Sequence, residues 1–245
     1  VCCPQTARGP FCCYKTCIAE RGKAMIPIGD LNPRRHLPLA TILIIILNFL
    51  VFFYELLLPH DALMGFVLSA GVVPHEVTSS FGVPVIGDFM TSMFLHGGWM
   101  HIIGNMLYLW IFGDNVEDRM GRLVYVLFYL AAGVCASLTQ VAIDPTSTVP
   151  TIGASGAIAG VLGAYLVMFP RTRVRTLVLA FRFVRMVELP AVVVLGLWFI
   201  LQIFSGLASI SAMASGGVAW FAHIGGFVVG LLAGALLRKR APAWQ

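Results

Sequence analysis

The sequence contains few charged residues. Asp, Glu, Lys and Arg make up 11% of its 245 positions, and 59% of the positions are hydrophobic. A soluble domain carries roughly 25% charged residues, so this scarcity excludes an ordinary soluble domain and predicts a membrane protein. Apolar runs that reach or approach the about 20 residues of a membrane-spanning helix occupy 38–58, 98–113, 123–143, 153–170, 189–210 and 218–237.

Basic residues are absent from three of the segments that connect these runs, namely 59–97, 144–152 and 211–217. All 16 Lys and Arg residues lie in the other connections and the two end regions. Basic residues concentrate on the cytoplasmic side of membrane proteins. We therefore predict a multi-pass protein of the cell membrane, of the bacterial inner-membrane kind, with both termini cytoplasmic. Because topology accounts for every basic residue, we expect the lipid bilayer and no nucleic acid as a partner.

Segment 59–97 is the longest connection, and it is too apolar for a solvated loop. Its apolar stretches "ALMGFVLSAGVV" and "FGVPVIGDFMTSMF" favour a position in the membrane interface. The predicted fold class is thus an all-α membrane protein with six transmembrane helices and a partly embedded first loop.

Paired CxxC motifs are missing, although five of the six cysteines lie within the first 17 residues. A zinc site that includes Cys13 and Cys17, palmitoylation, and an upstream extension of a protein that starts at Met25 are three open interpretations. We expect residues 1–24 to form a cysteine-rich cytoplasmic tail, 25–240 the membrane domain and 241–245 a short C-terminal tail. No metal or cofactor is predicted for the membrane domain.

Three histidines lie in or beside the apolar runs: His96, His101 and His223. Polar side chains are costly in hydrocarbon, so an intramembrane histidine is a functional candidate by default, although a helix-to-helix hydrogen bond is the simpler reading for each alone. His96 and His101 are five positions apart and no Glu follows either, which excludes the HExxH arrangement of a zinc protease.

Ser155, near the start of the fourth apolar run, is followed by small residues at helical spacing. Ser155, Ala159 and Gly163 recur every four positions, and on the sixth run one helical face carries His223, Gly226, Gly230 and Gly234. Small faces allow helices to approach closely. If these two helices pack together, His223 can reach the Ser155 hydroxyl and act as its general base.

An anion-stabilising group is predicted from the second run. His101 and Asn105 are four positions apart, so they share a helical face. Both can donate hydrogen bonds. Together with the backbone N–H of Ser155, they are suited to an oxyanion hole for acyl transfer.

These residues together resemble the rhomboid family of intramembrane serine proteases. "HGGWMHIIGNM" (96–106) is similar to the family's HxxxxHxxxN pattern, "GASG" (153–156) to its GxSG motif, and "AHIGGFVVG" (222–230) to its histidine followed by GxxxG. The resemblance covers about 25–237 and implies a rhomboid-like bundle of the bacterial six-helix type.

By this resemblance, Ser155 is the nucleophile and His223 the general base of a dyad, and His101, Asn105 and the Ser155 N–H form the oxyanion hole. His96 is implied as a structural polar residue, and the supporting glycines are Gly153, Gly156, Gly226 and Gly230. Some members have an aromatic residue where this chain has Ala159, and some have an Arg in the first loop, which 59–97 lacks.

The implied function is a serine endopeptidase that cleaves membrane proteins in or beside a transmembrane helix, near the extracytoplasmic face. The alternative is a non-catalytic rhomboid-like protein that binds transmembrane helices, but such proteins typically lack the serine or the histidine. A transporter is disfavoured because no mid-span charge arrangement for ion coupling and no inverted repeat is visible.

Overall fold

The computed structural model describes residues 24–79, 83–180, 183–211 and 218–238. Most of the predicted cysteine-rich tail and the C-terminal tail lie outside these ranges. The described chain is mainly helical: strand β1 is Ala24–Asp30, and the helices up to the site are α1 (Leu39–Leu57), α2 (His60–Ala70), α3 (Pro74–Ser79), α4 (Val83–Thr91), α5 (Trp99–Met120), α6 (Arg122–Ile143) and α7 (Ser155–Met168). Strands β2 (Arg173–Ala180) and β3 (Phe183–Pro190) follow, and then come α8 (Ala191–Ser211) and α9 (Trp220–Arg238).

Four of the described helices are long and apolar enough to cross a membrane: α1, α6, α8 and α9. Helix α5 has sufficient length, but its C-terminal end carries Asp114, Glu117, Asp118 and Arg119. Helix α7 has 14 residues, or about 21 Å at 1.5 Å per residue, which is less than the roughly 30 Å of a hydrocarbon core.

Helix α7 lies at the centre of the bundle. Nearly every one of its residues is buried, including the polar aromatic Tyr165. It is apolar all round because α5, α6 and α9 surround it. Its first residue is Ser155, so the motif serine begins a helix held by its neighbours rather than one exposed to lipid.

The contact between α7 and α9 is made backbone to backbone. A Cβ atom added to Gly226 would lie 2.0 Å from the Gly156 carbonyl oxygen, and one added to Gly230 would lie 1.9 Å from that of Gly160. The predicted pairing of these two helices is thus observed. The α7 glycines in this contact are Gly156, Gly160 and Gly163. The helical spacing in the sequence predicts Gly163 for this face and the rhomboid resemblance implies Gly156, but neither predicts Gly160.

The all-α prediction is wrong for one part of the chain. β1, β2 and β3 form an antiparallel sheet in that order, with Ile26 opposite Leu177 and Leu177 opposite Met186. The alternation of "RVRTLVLA" is typical of a half-buried strand, since Val174 and Thr176 are fully buried while the flanking arginines are exposed.

Helix α5 extends beyond the predicted apolar run 98–113, because it continues to Met120 and the chain turns at Gly121 with φ of 80°. The helical conformation lets the buried Glu117 carboxylate accept hydrogen bonds from the backbone N–H groups of Ala40 (3.0 Å) and Thr41 (2.8 Å). These are N–H groups that the first turn of α1 leaves without helical partners.

Strand β1 is tied to the bundle by Asp30. Its carboxylate accepts a hydrogen bond from the Tyr165 hydroxyl and one of 3.0 Å from Asn115 Nδ2. Burial raises the pKa of Asp30 to about 6, although the hydrogen bond from Tyr165 opposes that shift. The sheet is therefore connected to the far end of the same helix that begins with Ser155.

Candidate active site

Ser155 begins α7 directly after a turn that only glycine adopts readily. Gly153 has φ of 117°, a conformation that residues with a Cβ rarely adopt. A Cβ at this position would also lie 2.7 Å from the Cε1 and Nε2 atoms of His101. The Gly153 N–H donates a 2.8 Å hydrogen bond to the Ser92 carbonyl. The turn therefore fixes where α7 starts and brings the His101 ring against the backbone beside Ser155.

Ser155 and His223 are hydrogen-bonded across the α7–α9 interface. The distance between His223 Nε2 and Ser155 Oγ is 2.8 Å. The glycine contacts described above hold the two helices close enough for this bond. The structure thus places together the two residues that the sequence analysis paired, in the geometry of a nucleophile and its base.

The opposite nitrogen of the His223 ring has a partner that the sequence analysis missed. His223 Nδ1 lies 2.8 Å from Oε1 of Gln202, on α8. The rings of Trp198 and Trp220 flank the imidazole, with centroids 6.0 and 6.2 Å from it. Two tryptophans therefore adjoin the histidine, Trp198 from α8 and Trp220 from its own helix α9, whereas the α7 position where some rhomboids have an aromatic residue is Ala159 here. A glutamine inside the apolar run 189–210 was the available signal.

His101 is oriented toward the serine. Its Nδ1 accepts a 3.3 Å hydrogen bond from the Gly97 N–H, so the ring proton of the neutral imidazole is on Nε2. That nitrogen faces Gly153, since a Cβ atom built on Gly153 would lie 2.7 Å from it. The same Cβ atom would lie 3.7 Å from Ser155 Oγ. His101 therefore presents a donor to the space beside Ser155.

Asn105 is held by His96. Asn105 Nδ2 lies 3.1 Å from His96 Nε2, while His96 Nδ1 is 3.2 Å from the Phe94 carbonyl. Since the carbonyl can only accept, the His96 proton is on Nδ1 and Asn105 donates to Nε2. The buried carboxylate of Glu55, in α1, accepts the His96 backbone N–H at 3.1 Å. The structure does not pair Asn105 directly with Ser155, and one of its two amide hydrogens remains for another acceptor.

A narrow pocket, open to the outside, adjoins Ser155. Most side chains in its wall are small, and the lining residues are Met93, Gly133, Ser137, Thr151, Ile152, Gly153, Ser155, Gly156, Ala157, Ala219 and Ala222. Among the described residues, no group of three or more His, Cys, Asp or Glu side chains is arranged to hold a metal ion.

The rhomboid domain family matches residues 86–240, which is more than half of the chain and includes Ser155, His223, His101, Asn105 and Gln202. The chain belongs to the rhomboid family. Rhomboid protease GluP of Bacillus subtilis is 34% identical over 148 residues, which cover 60% of this chain and 25% of that protein.

Other relatives of this rhomboid come from eukaryotic organelles. Rhomboid protein 1, mitochondrial, of Saccharomyces cerevisiae is 29% identical over 158 residues, covering 60% of this chain and 41% of the relative. Rhomboid-like protein 11, chloroplastic, of Arabidopsis thaliana is 39% identical over 77 residues, covering 31% and 27%. The chain thus spans less than half the length of these relatives.

Proposed function

We propose that this rhomboid is an intramembrane serine endopeptidase in which Ser155 attacks the peptide carbonyl and His223 is the general base. The observation that carries the proposal is the 2.8 Å contact between His223 Nε2 and Ser155 Oγ. Relatives from the same family carry "protease" in their names, among them GluP and the putative rhomboid protease YdcA of Bacillus subtilis.

The reaction follows from the positions of the donors. As Ser155 Oγ bonds to the carbonyl carbon, its proton passes to His223 Nε2, and the carbonyl oxygen becomes an anion. The His101 Nε2–H, the free amide hydrogen of Asn105 and the Ser155 N–H are the donors proposed to stabilise that anion. His223 then gives the proton to the leaving nitrogen, which breaks the peptide bond and leaves an acyl-serine for water to hydrolyse.

The pocket beside Ser155 supports a substrate class. The small residues in its wall, among them Gly133, Gly153 and Ala157, support a preference for a small side chain next to the scissile bond. We propose that the substrates are membrane proteins with a transmembrane helix that unwinds at small or helix-breaking residues close to the extracytoplasmic face.

The multi-pass membrane protein is proposed to have six spanning helices: α1, α5, α6, α7, α8 and α9. By length and composition alone, α5 and α7 are not identified as membrane-spanning helices. Helix α5 carries charged residues at its C-terminal end, and α7 is short. In the proposed arrangement, helices α2 to α4 are the partly embedded first loop, and the distribution of basic residues supports cytoplasmic termini.

Cleavage in proteoliposomes tests the proposed function. The purified chain is reconstituted with a test substrate that carries one transmembrane helix with alanines near its outer end. The wild-type protein should cleave it, and Ser155→Ala and His223→Ala should each abolish cleavage while both variants still insert. If the wild type binds the helix without cleaving it, the chain is the non-catalytic alternative. If Ser155→Ala still cleaves the substrate, Ser155 is not the nucleophile and the proposed mechanism is wrong.

A further inference from the structure

Gln202 is a buried polar side chain whose contact the proposed dyad does not explain. It lies on α8, with 7% of its surface exposed, and its Oε1 is 2.8 Å from the ring nitrogen of His223 that faces away from Ser155. His223 is itself 8% exposed. A buried polar group of this kind costs free energy unless it is hydrogen-bonded, and here the imidazole supplies the bond.

The amide of Gln202 has a defined orientation. Its Nε2 donates a 3.4 Å hydrogen bond to the carbonyl oxygen of Trp198, one turn earlier in the same helix. If the amide were flipped, its oxygen would face that carbonyl oxygen, and two acceptors would be in contact. The backbone of α8 therefore turns the oxygen of Gln202, rather than its nitrogen, toward His223.

This orientation determines which nitrogen of His223 carries the proton. An amide oxygen only accepts, so His223 Nδ1 must be the donor, and the neutral ring then has its lone pair on Nε2. Nε2 is the atom that lies 2.8 Å from Ser155 Oγ. The opposite tautomer would place a hydrogen on Nε2, and the ring could not remove the serine proton.

We propose that Gln202 is a positioning residue that holds His223 in the tautomer able to accept the proton of Ser155. The inference rests on the proposed function of the Ser155–His223 pair. Gln202 does not contact the reacting atoms; it acts through the far side of the imidazole. The chemistry is that of Cys-His-Asn proteases, in which a neutral amide occupies the place that a carboxylate has in Ser-His-Asp enzymes.

Two substitutions test whether the amide oxygen of Gln202, rather than the shape of its side chain, positions His223. Gln202→Met keeps a long unbranched side chain but removes the acceptor. Gln202→Glu restores an oxygen that accepts the Nδ1 hydrogen whether or not the carboxyl is ionised. Gln140→Met is the matched control, because Gln140 is a second glutamine within an apolar helix, α6.

The first measurement is the rate at which a fluorophosphonate labels Ser155 in detergent, with the melting temperature recorded for each variant. We expect Gln202→Met to label roughly 10²-fold more slowly, as when general-base catalysis is lost, with a melting temperature close to that of the wild type. Gln202→Glu should recover most of the rate, and Gln140→Met should label at the wild-type rate.

The second measurement is the ¹⁵N NMR spectrum of the histidine ring nitrogens, which distinguishes the tautomers without requiring activity. The His223 signals, assigned by their loss in His223→Ala, should show the Nδ1–H form in the wild type and in Gln202→Glu but a mixture in Gln202→Met.

The outcomes keep the two proposals apart. If the wild type labels and Gln202→Met labels equally fast, or if the tautomer is the same in both, the role of Gln202 is refuted while the protease proposal stands. If Gln202→Glu fails to recover a rate that Gln202→Met has lost, the oxygen is not the cause and the inference is again refuted. If the wild type does not label at all, the proposed function fails, and with it the role in catalysis.

Discussion

The contact between α7 and α9 leaves no space for a single methyl group, and Gly226→Ala is the change that tests it. The new Cβ would lie 2.0 Å from the Gly156 carbonyl oxygen. Real Cβ atoms essentially never come within 3.0 Å of such an atom, so the two backbones must separate locally by about 1 Å. Gly156 follows Ser155 directly, and Gly226 is about one helical turn from His223. The separation should therefore break the 2.8 Å hydrogen bond between Ser155 and His223.

The expected loss of stability follows from overpacking. Inserting a methyl group into a closely packed interface costs roughly 1–3 kcal/mol, and alanine recovers about 0.5–1 kcal/mol of helix stability over glycine. For a chain of 150–250 residues, each kcal/mol corresponds to about 2–4 °C. A melting temperature lower by a few degrees in detergent, with fluorophosphonate labelling and substrate cleavage almost abolished, is the predicted result.

Gly196→Ala is the matched control, because an added Cβ at Gly196, on α8, would have no atom within 4 Å. This variant should melt at or slightly above the wild-type temperature and cleave normally. The melting temperature is followed by circular dichroism in the same detergent. If Gly226→Ala melts and cleaves like the wild type, the two helices do not depend on this contact, and the reasoning from close packing is wrong.

Four further predictions concern the site, the sheet, the substrate and the topology. Asn105→Ala should lower kcat by roughly 10²–10³-fold yet leave measurable cleavage in single-turnover assays, since the other proposed donors remain; complete loss would show that Asn105 does more than donate. Burial in the folded state raises the pKa of the Asp30 carboxyl to about 6, so the folded protein binds the carboxyl proton more tightly than the unfolded chain does. The free energy of unfolding should therefore decrease as the pH rises from about 4 to about 6. Asp30→Asn should flatten that fall in a series of melting curves, and an unchanged slope would contradict the assignment. Replacing the alanine before the scissile bond of the test substrate by phenylalanine should lower kcat/KM by at least about tenfold, and equal cleavage of both substrates would refute the small pocket. In a chain whose native cysteines are replaced by serine, Ser79→Cys should react with an impermeant thiol reagent in whole cells while Arg171→Cys should not; the reverse labelling would overturn the proposed orientation.

The pairing of α7 with α9 could be predicted from the sequence, because the spacing of the small residues beside Ser155 and His223 has few interpretations. Ser155 and His223 lie next to small residues at helical intervals, and close approach of such faces is a general property of membrane helices. The exact face of α7 could not be read in the same way. Alanine and glycine occur on most sides of that helix, and only the structure shows that Gly156 and Gly160 meet the backbone of α9.

Other features depended on residues distant in sequence. Gln202 contacts a histidine 21 positions away, and nothing local to α8 indicates which partner its amide finds. The sheet was overlooked because β1 pairs with a strand about 150 residues later, and the arginines of that strand already had an explanation in topology. Helix α5 extends to Met120, and its Glu117 bonds to the start of α1, a tertiary contact that local charge patterns do not reveal.

Mass spectrometry of the fluorophosphonate adduct tests the central claim most directly. The reagent is applied to the wild-type protein, His223→Ala and Ser155→Ala in the same detergent, and the modified peptide is sequenced. The account predicts a stoichiometric adduct on Ser155 in the wild type and none at that position in either variant. An unmodified Ser155 in the wild type, or an equal adduct when His223 is absent, would contradict the proposal that these two residues form a nucleophile and its base.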